Sequence, residues 1–139
     1  MHVVDASVWI SRFVPTDVHY QSSHKWLGNQ VALNDVVVSP AILLAEVGGA
    51  IAIRTGNSEL GMIVVGLMQR FPNVRLVPVD ASLAALSAQL AVTLRLLGAD
   101  PLYVATAHRL GVPLITWDRE QRDRSVTSVT AFTPEESLR

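Results

Sequence analysis

The chain has 139 residues, half of them hydrophobic and 17% charged, with a formal net charge of −1 and no cysteine. That length fits a single domain, residues 1–139, able to bury a core without covalent staples. The absence of thiols excludes disulfides, zinc–thiolate sites, iron–sulfur clusters and cysteine nucleophiles.

Met1-His2-Val3-Val4-Asp5 enters a strand-like run directly, without the basic and apolar regions of a signal peptide. The longest apolar stretches, 41–53 and 60–68, are too short to span a bilayer, and the first contains Glu46. The expectation is a soluble, cytoplasmic protein with no membrane partner. Short β-like runs then alternate with longer helical ones, the mark of an α/β fold on a parallel sheet. The expected strands are His2–Asp5, Val36–Ser39, Val74–Val79, Pro113–Thr116 and Ser128–Phe132.

Between the strands, a short helix is expected over Ser7–Phe13 and a second over Val18–Leu27. A third is expected from Pro40 to Thr55, with Ser39 as its cap and Gly56 as its stop. Ser58 opens an apolar helix to Arg70, and Pro72 prevents its continuation. Asp80 caps an amphipathic helix over Ala81–Leu97, with leucines 83, 86, 90, 94 and 97 at spacings of three and four, closed by Gly98. Asp100-Pro101 opens the last expected helix, which ends at Gly111. Gly48, Gly49, Gly61 and Gly66 weaken their helices, a cost that close backbone packing would explain.

Four carboxylates occupy telling positions along this pattern. Asp5 and Asp118 end apolar runs, at the carboxyl ends of strands, where ligands bind in open parallel sheets. Asp100 opens a helix before Asp118's strand and can reach the same end. Glu46 lies within the apolar segment Leu43-Leu44-Ala45-Glu46-Val47, so its side chain could point back over the sheet. A buried, unpartnered carboxylate costs several kcal/mol or takes up a proton. A hard divalent cation with oxygen ligands keeps several such groups ionised together. Each acid also has a structural alternative: Asp100 as a helix cap, Asp118 as a turn residue, Glu46 on an exposed helix face.

The tripeptide Asp-Ala-Ser follows two strand-like runs, at Asp5 and at Asp80, so local sequence does not single out Asp5. If the first strand is central and the third lies two places away, Asp80 stands roughly 10 Å off at about 4.8 Å per strand. That is too far to share an ion held at about 2.1 Å, and Asp80 reads as a helix cap. With the other four acids neutralised by metal, eight acids would face eleven bases, ten of them arginines suited to phosphate.

The segments Val3-Val4-Asp5-Ala6-Ser7-Val8-Trp9-Ile10, Leu44-Ala45-Glu46-Val47, Gly98-Ala99-Asp100-Pro101-Leu102-Tyr103-Val104-Ala105-Thr106-Ala107 and Leu114-Ile115-Thr116-Trp117-Asp118-Arg119 together resemble PIN-domain ribonucleases. The resemblance is nearest to VapC-type toxins of type II toxin–antitoxin pairs and extends over nearly the whole chain. It implies a three-layer PIN-like α/β fold, with a five-stranded parallel sheet of order 3-2-1-4-5 flanked by helices. It also implies a homodimer, a VapB-type antitoxin as partner, RNA as substrate, and one or two Mg²⁺ or Mn²⁺ ions.

Carried over to this chain, Asp5, Glu46, Asp100 and Asp118 would form the catalytic acidic pocket, with Asp5 and Asp100 as direct metal ligands. Asp118 would serve a second ion or orient water, and Glu46 would act through water. Ser7 and Thr116 match hydroxyl positions that orient a carboxylate or the water, though both could equally cap helices. Trp117 and Arg119 flank the pocket and could stack on or grip RNA, with core packing as the alternative for Trp117. His108, His19 and His24 carry no metal or catalytic assignment, since His19 and His24 are five apart and miss the usual helical pair.

Other readings fit less well. A haloacid-dehalogenase-like phosphatase wants a second Asp where Ser7 stands, and a response-regulator receiver wants a late lysine, whereas the only lysine is Lys25. A non-toxin PIN nuclease of RNA maturation and a catalytically inactive PIN-like RNA- or protein-binding module are the remaining alternatives. The apolar runs Ile42–Ile53 and Leu60–Met68 are expected to serve a dimer interface and an antitoxin groove in addition to the core.

Overall fold

The computed structural model describes residues 1–139. Its elements follow in the order β1 His2–Val4, α1 Ala6–Phe13, α2 Tyr20–Ala32, β2 Val37–Pro40, α3 Leu43–Thr55, α4 Ser58–Gln69 and β3 Val74–Val77. They continue with α5 Ala81–Leu94, α6 Asp100–Leu110, β4 Leu114–Ile115, α7 Arg119–Ser125, β5 Ala131–Phe132 and α8 Pro134–Ser137. The five strands form one sheet in the order β3-β2-β1-β4-β5, and every neighbouring pair is parallel. This is the PIN-like α/β architecture and strand order that the sequence led us to expect.

Strand residues alternate between the two faces of a sheet. In β2 all four successive residues are buried, and so are Val3 and Val4 in β1, so both faces are covered at the centre. Helix α1 packs on α2 and α3, and α3 packs on α4; α6 packs on α5 and lies against β1 and β2. The core runs through the central strands and includes the fully buried Trp9, Trp26, Leu43, Tyr103, Leu114 and Ile115. No helix is long and apolar enough to cross a membrane.

Several boundaries differ from the expected ones. Ser39 and Pro40 end strand β2 and do not open a helix. Strand pairing takes precedence there, and the Ser39 hydroxyl donates to the Val4 carbonyl at 2.6 Å. Helix α2 starts at Tyr20 and runs on to Ala32, leaving Val18 90% exposed. Helix α5 stops at Leu94, because Arg95 adopts a left-handed conformation with φ 56°. Leu97 is consequently outside the helix and solvent-exposed, while Leu83, Leu90 and Leu94 are buried. The short helices α7 and α8 were not expected; α8 is held by a capping box between Thr133 and Glu136.

The glycines of α3 and α4 do mark a close approach. A Cβ on Gly61 would stand 2.8 Å from the Gly48 carbonyl oxygen, and one on Gly48 would stand 2.8 Å from Val65 Cγ2. Asp80 caps α5, accepting from the Leu83 amide at 2.8 Å, as its setting in the sequence suggested.

Candidate active site

Parallel strands β1 and β4 lie side by side at the centre of the sheet and deliver their carboxyl-terminal residues to the same edge. The Asp5 amide donates to the Ile115 carbonyl at 3.0 Å, which places Asp5 beside Thr116. Asp5 is 5% exposed and caps α1. Its Oδ2 accepts from the Ser7 amide at 3.0 Å and from the Thr116 hydroxyl at 3.2 Å. Its Oδ1 faces the Gln121 side-chain amide at 3.5 Å.

Ser7 and Thr116 extend this network across the two strands. The Ser7 hydroxyl accepts from the Trp117 amide at 3.0 Å and lies 3.4 Å from the Thr116 hydroxyl, which itself accepts from the Asp118 amide at 2.9 Å. Both hydroxyls therefore tie the β1 and β4 ends together while one of them bonds Asp5. This fixes the deepest carboxylate in place.

Glu46 stands on the first turns of α3, half-buried, and its Oε1 accepts from the Tyr103 hydroxyl at 2.6 Å. Asp100 is the first residue of α6. The cap of that helix is Ala99, and Asp100 makes no capping bond. The expectation that Asp100 could be spent as a cap is thus not met, and its carboxylate is left without a hydrogen-bond partner. Asp118 is the acid that does cap a helix: it accepts from the Gln121 amide at 2.9 Å at the start of α7.

Asp5, Ser7, Glu46, Asp100 and Trp117 line one cleft of about 300 Å³. Asp118 and Arg119 do not line it. Asp118 acts on the cleft at longer range, through its charge on Asp100. Arg119 is turned outward on α7, 86% exposed at its side chain, 3.5 Å from Asp123.

The acids repel one another, and burial adds to the cost of ionising them. Burial pushes the Asp5 carboxyl up from its ordinary value, against the lowering effect of its hydrogen bonds from Ser7, Thr116 and Gln121. Burial also raises Glu46, with the Asp5 charge adding to it and the Tyr103 hydroxyl opposing. Asp100 is pushed up to about 7, first by burial and then by the charges of Asp5, Asp118, Glu46 and Glu120. The Tyr103 hydroxyl is raised by burial and by the adjacent Glu46, so it remains a donor.

This donor set is made only of carboxylate and hydroxyl oxygens, which suits a hard divalent cation. No three Asp, Glu or His side chains converge as a ready-made cage. Tyr103 and Gln121 are the positioning residues that reading the sequence missed. Tyr103 lies three residues after Asp100, hence on the same face of α6, which is the one local signal that could have flagged it. Gln121 had no such signal, since α7 itself was not expected.

Residues 2–126 match the family model described as the PIN domain. The chain therefore belongs to the PIN-domain family. A comparison with curated protein sequences finds no significant match. Among solved structures, the fold is similar to that of Mycobacterium tuberculosis VapC20, described as a sarcin–ricin loop cleaving toxin. The two are 18% identical, with 94% of this chain and 97% of that chain covered and a TM-score of 0.76. FitAcB from Neisseria gonorrhoeae is similar at 22% identity, over 97% of this chain and 99% of that one, with a TM-score of 0.74. VapBC-1 from nontypeable Haemophilus influenzae is similar at 18% identity, over 96% and 98%, with a TM-score of 0.69.

Proposed function

We propose that the chain is a divalent-metal-dependent endoribonuclease and the toxin of a toxin–antitoxin pair. The observation that carries this reading is Asp100: an unbonded carboxylate, half-buried, on which the charges of Asp5, Asp118 and Glu46 all act. Four acids from separate elements share one electrostatic site, and no arginine or lysine is hydrogen-bonded or ion-paired to any of them.

In this reading Asp5 and Asp100 would hold the ion directly, Asp118 would serve a second ion or orient water, and Glu46 would act through water. A bound Mg²⁺ or Mn²⁺ would supply neutralisation of charge growing on the phosphate and a lowered pKa for water. The protein's part is placement. Ser7, Thr116 and Gln121 hold Asp5 rigid, and Tyr103 holds Glu46 Oε1, leaving Oε2 free to accept a proton from the attacking water. A new bond forms from the water oxygen to phosphorus, the phosphorus–ribose oxygen bond breaks, and the leaving oxygen takes up a proton. Such positioning is typically worth orders of magnitude in rate.

The toxin assignment draws on the fold shared with VapC20 and with the VapBC and FitAcB proteins, and it brings with it a VapB-type antitoxin and a homodimer. The stripe Leu60, Ile63 and Leu67 on α4, with exposures of 37%, 51% and 44%, supports an apolar contact with another chain. Purified protein should cleave RNA with Mg²⁺ or Mn²⁺ and stop on chelation, and Asp5→Asn or Asp100→Asn should lower the rate about 100- to 1,000-fold, the scale on which such electrostatic groups act. Full cleavage by either folded variant would overturn the site.

A further inference from the structure

The mouth of the acidic cleft carries a second set of residues that the acids do not use. Asp17, in the segment between α1 and α2, lines the same cleft, together with His19 and Arg54. Both oxygens of Asp17 are engaged: Oδ1 accepts from the His19 amide at 2.8 Å and Oδ2 from Arg54 Nη1 at 2.9 Å. One carboxylate, with its side chain 15% exposed, thereby holds both the Arg54 cation and the backbone that carries the His19 ring.

The His19 ring stacks on Trp117, with centroids 3.8 Å apart and planes 7° from parallel. Trp117 is fixed in turn, because its Nε1 donates to the Ser23 hydroxyl at 2.7 Å, and Ser23 is bonded to Ser11. Arg54 spends only Nη1 on Asp17, and its side chain is 47% exposed, so the rest of its donor fork faces solvent. It lies eight residues beyond Glu46 on α3, about 12 Å along the helix axis.

We propose that Arg54 and the His19–Trp117 stack, both set by Asp17, form the lip that positions single-stranded RNA over the acidic cleft. Arg54 takes a flanking phosphate through its free N–H groups, and the outer face of His19 takes a nucleobase. This rests on the reading of the chain as an RNA nuclease. The charge balance calls for such a lip: a polyanion entering a cleft lined by Asp5, Glu46 and Asp100 needs a cation at the entrance, and among the side chains lining it Arg54 is the permanently charged one.

The test measures binding of a short, mixed-sequence, fluorescein-labelled single-stranded RNA by anisotropy across a salt series, alongside cleavage kinetics with Mg²⁺. Arg54→Gln should weaken binding about tenfold and flatten the log–log salt slope by about 0.7, the value for one phosphate on a single strand. Arg54→Lys should restore part of both. His19→Ala should weaken binding about tenfold, within the range for one lost stack, and His19→Phe should recover most of it. These losses should fall on KM more than on kcat.

Trp9 and Trp26 are fully buried, so quenching of intrinsic fluorescence by RNA should report Trp117 and be altered in His19→Ala. Cleavage that depends on Asp100 while Arg54→Gln leaves affinity and salt slope unchanged and His19→Ala leaves affinity unchanged overturns the lip and leaves the nuclease reading standing. A wild-type protein that neither binds nor cleaves RNA overturns both.

Discussion

At the scale of single residues, Asp100 shows how a carboxylate is reserved for chemistry. An acid at the start of a helix usually bonds the free amides there, and the dipole lowers its pKa. Here Ala99 takes the cap position, and Asp100 faces other acids. The consequence for stability has a definite sign. An ordinary Asp ionises near 3.8 in the unfolded chain, whereas Asp100 ionises at about 7 in the folded one. Between these values the folded state binds more protons, so stability falls as pH rises through that window and levels off above it. Asp5 and Glu46, also raised, act in the same direction. Urea unfolding in chelator should therefore give lower stability at pH 8 than at pH 5, by on the order of 1 kcal/mol from Asp100 after allowance for its partial solvation. Asp100→Asn should flatten that slope, and a slope unchanged in the variant would count against the coupled acidic cluster.

At the scale of elements, α3 and α4 pack as they do because two glycines face each other. Helix propensity alone favours Ala over Gly at both Gly49 and Gly61, by up to about 1 kcal/mol. Their surroundings differ: a Cβ on Gly49 meets nothing within 4 Å, and one on Gly61 meets the Gly48 carbonyl at 2.8 Å. A backbone carbonyl cannot swing aside as a side chain would, so the helices must part. Gly49→Ala should stabilise the protein slightly, and Gly61→Ala should destabilise it by about 1–3 kcal/mol, as overpacking does. Chemical denaturation of both variants checks the pair, and equal effects would remove the glycine contact as a packing determinant. The sequence marked these glycines as helix-weakening without revealing which one faces a neighbour, since that depends on how α3 lies against α4. The same limit explains Ser39-Pro40. Locally it has the chemistry of a helix start, and only pairing of β2 with β1 and β3 makes it the end of a strand. By contrast the alternation of strands and helices and the strand-end position of Asp5 were legible, because periodicity and strand ends are local signals; the sheet order and the grouping of Glu46 and Asp100 with Asp5 came from the resemblance to PIN-domain proteins. Tyr103 and Gln121 were not legible, since each works through a contact with an acid distant in sequence, at separations of 57 and 116 residues.

At the scale of the whole molecule, the apolar surface is unevenly distributed. Isolated exposed hydrophobic residues are ordinary on a soluble protein. Leu60, Ile63 and Leu67 are different in that their spacing of three and four puts them on one side of α4, next to the side that packs on α3. Helix α4 is thus apolar over more of its circumference than contact with α3 uses, because Gly61, Val64 and Met68 already supply the buried face. A chain with a net charge of only −1 has little long-range repulsion to keep two such faces apart. These features favour self-association through α4, and the proposed dimer locates its seam there. Ile63 is half-exposed, so a charge placed on it should leave the fold intact while opposing contact with a second chain. Wild-type protein should sediment as a dimer at micromolar concentration, and Ile63→Glu should shift it to monomer with an unchanged melting profile by circular dichroism at low concentration. A wild-type monomer, or a dimer indifferent to Ile63→Glu, would count against self-association through this helix and leave the stripe open to the proposed antitoxin.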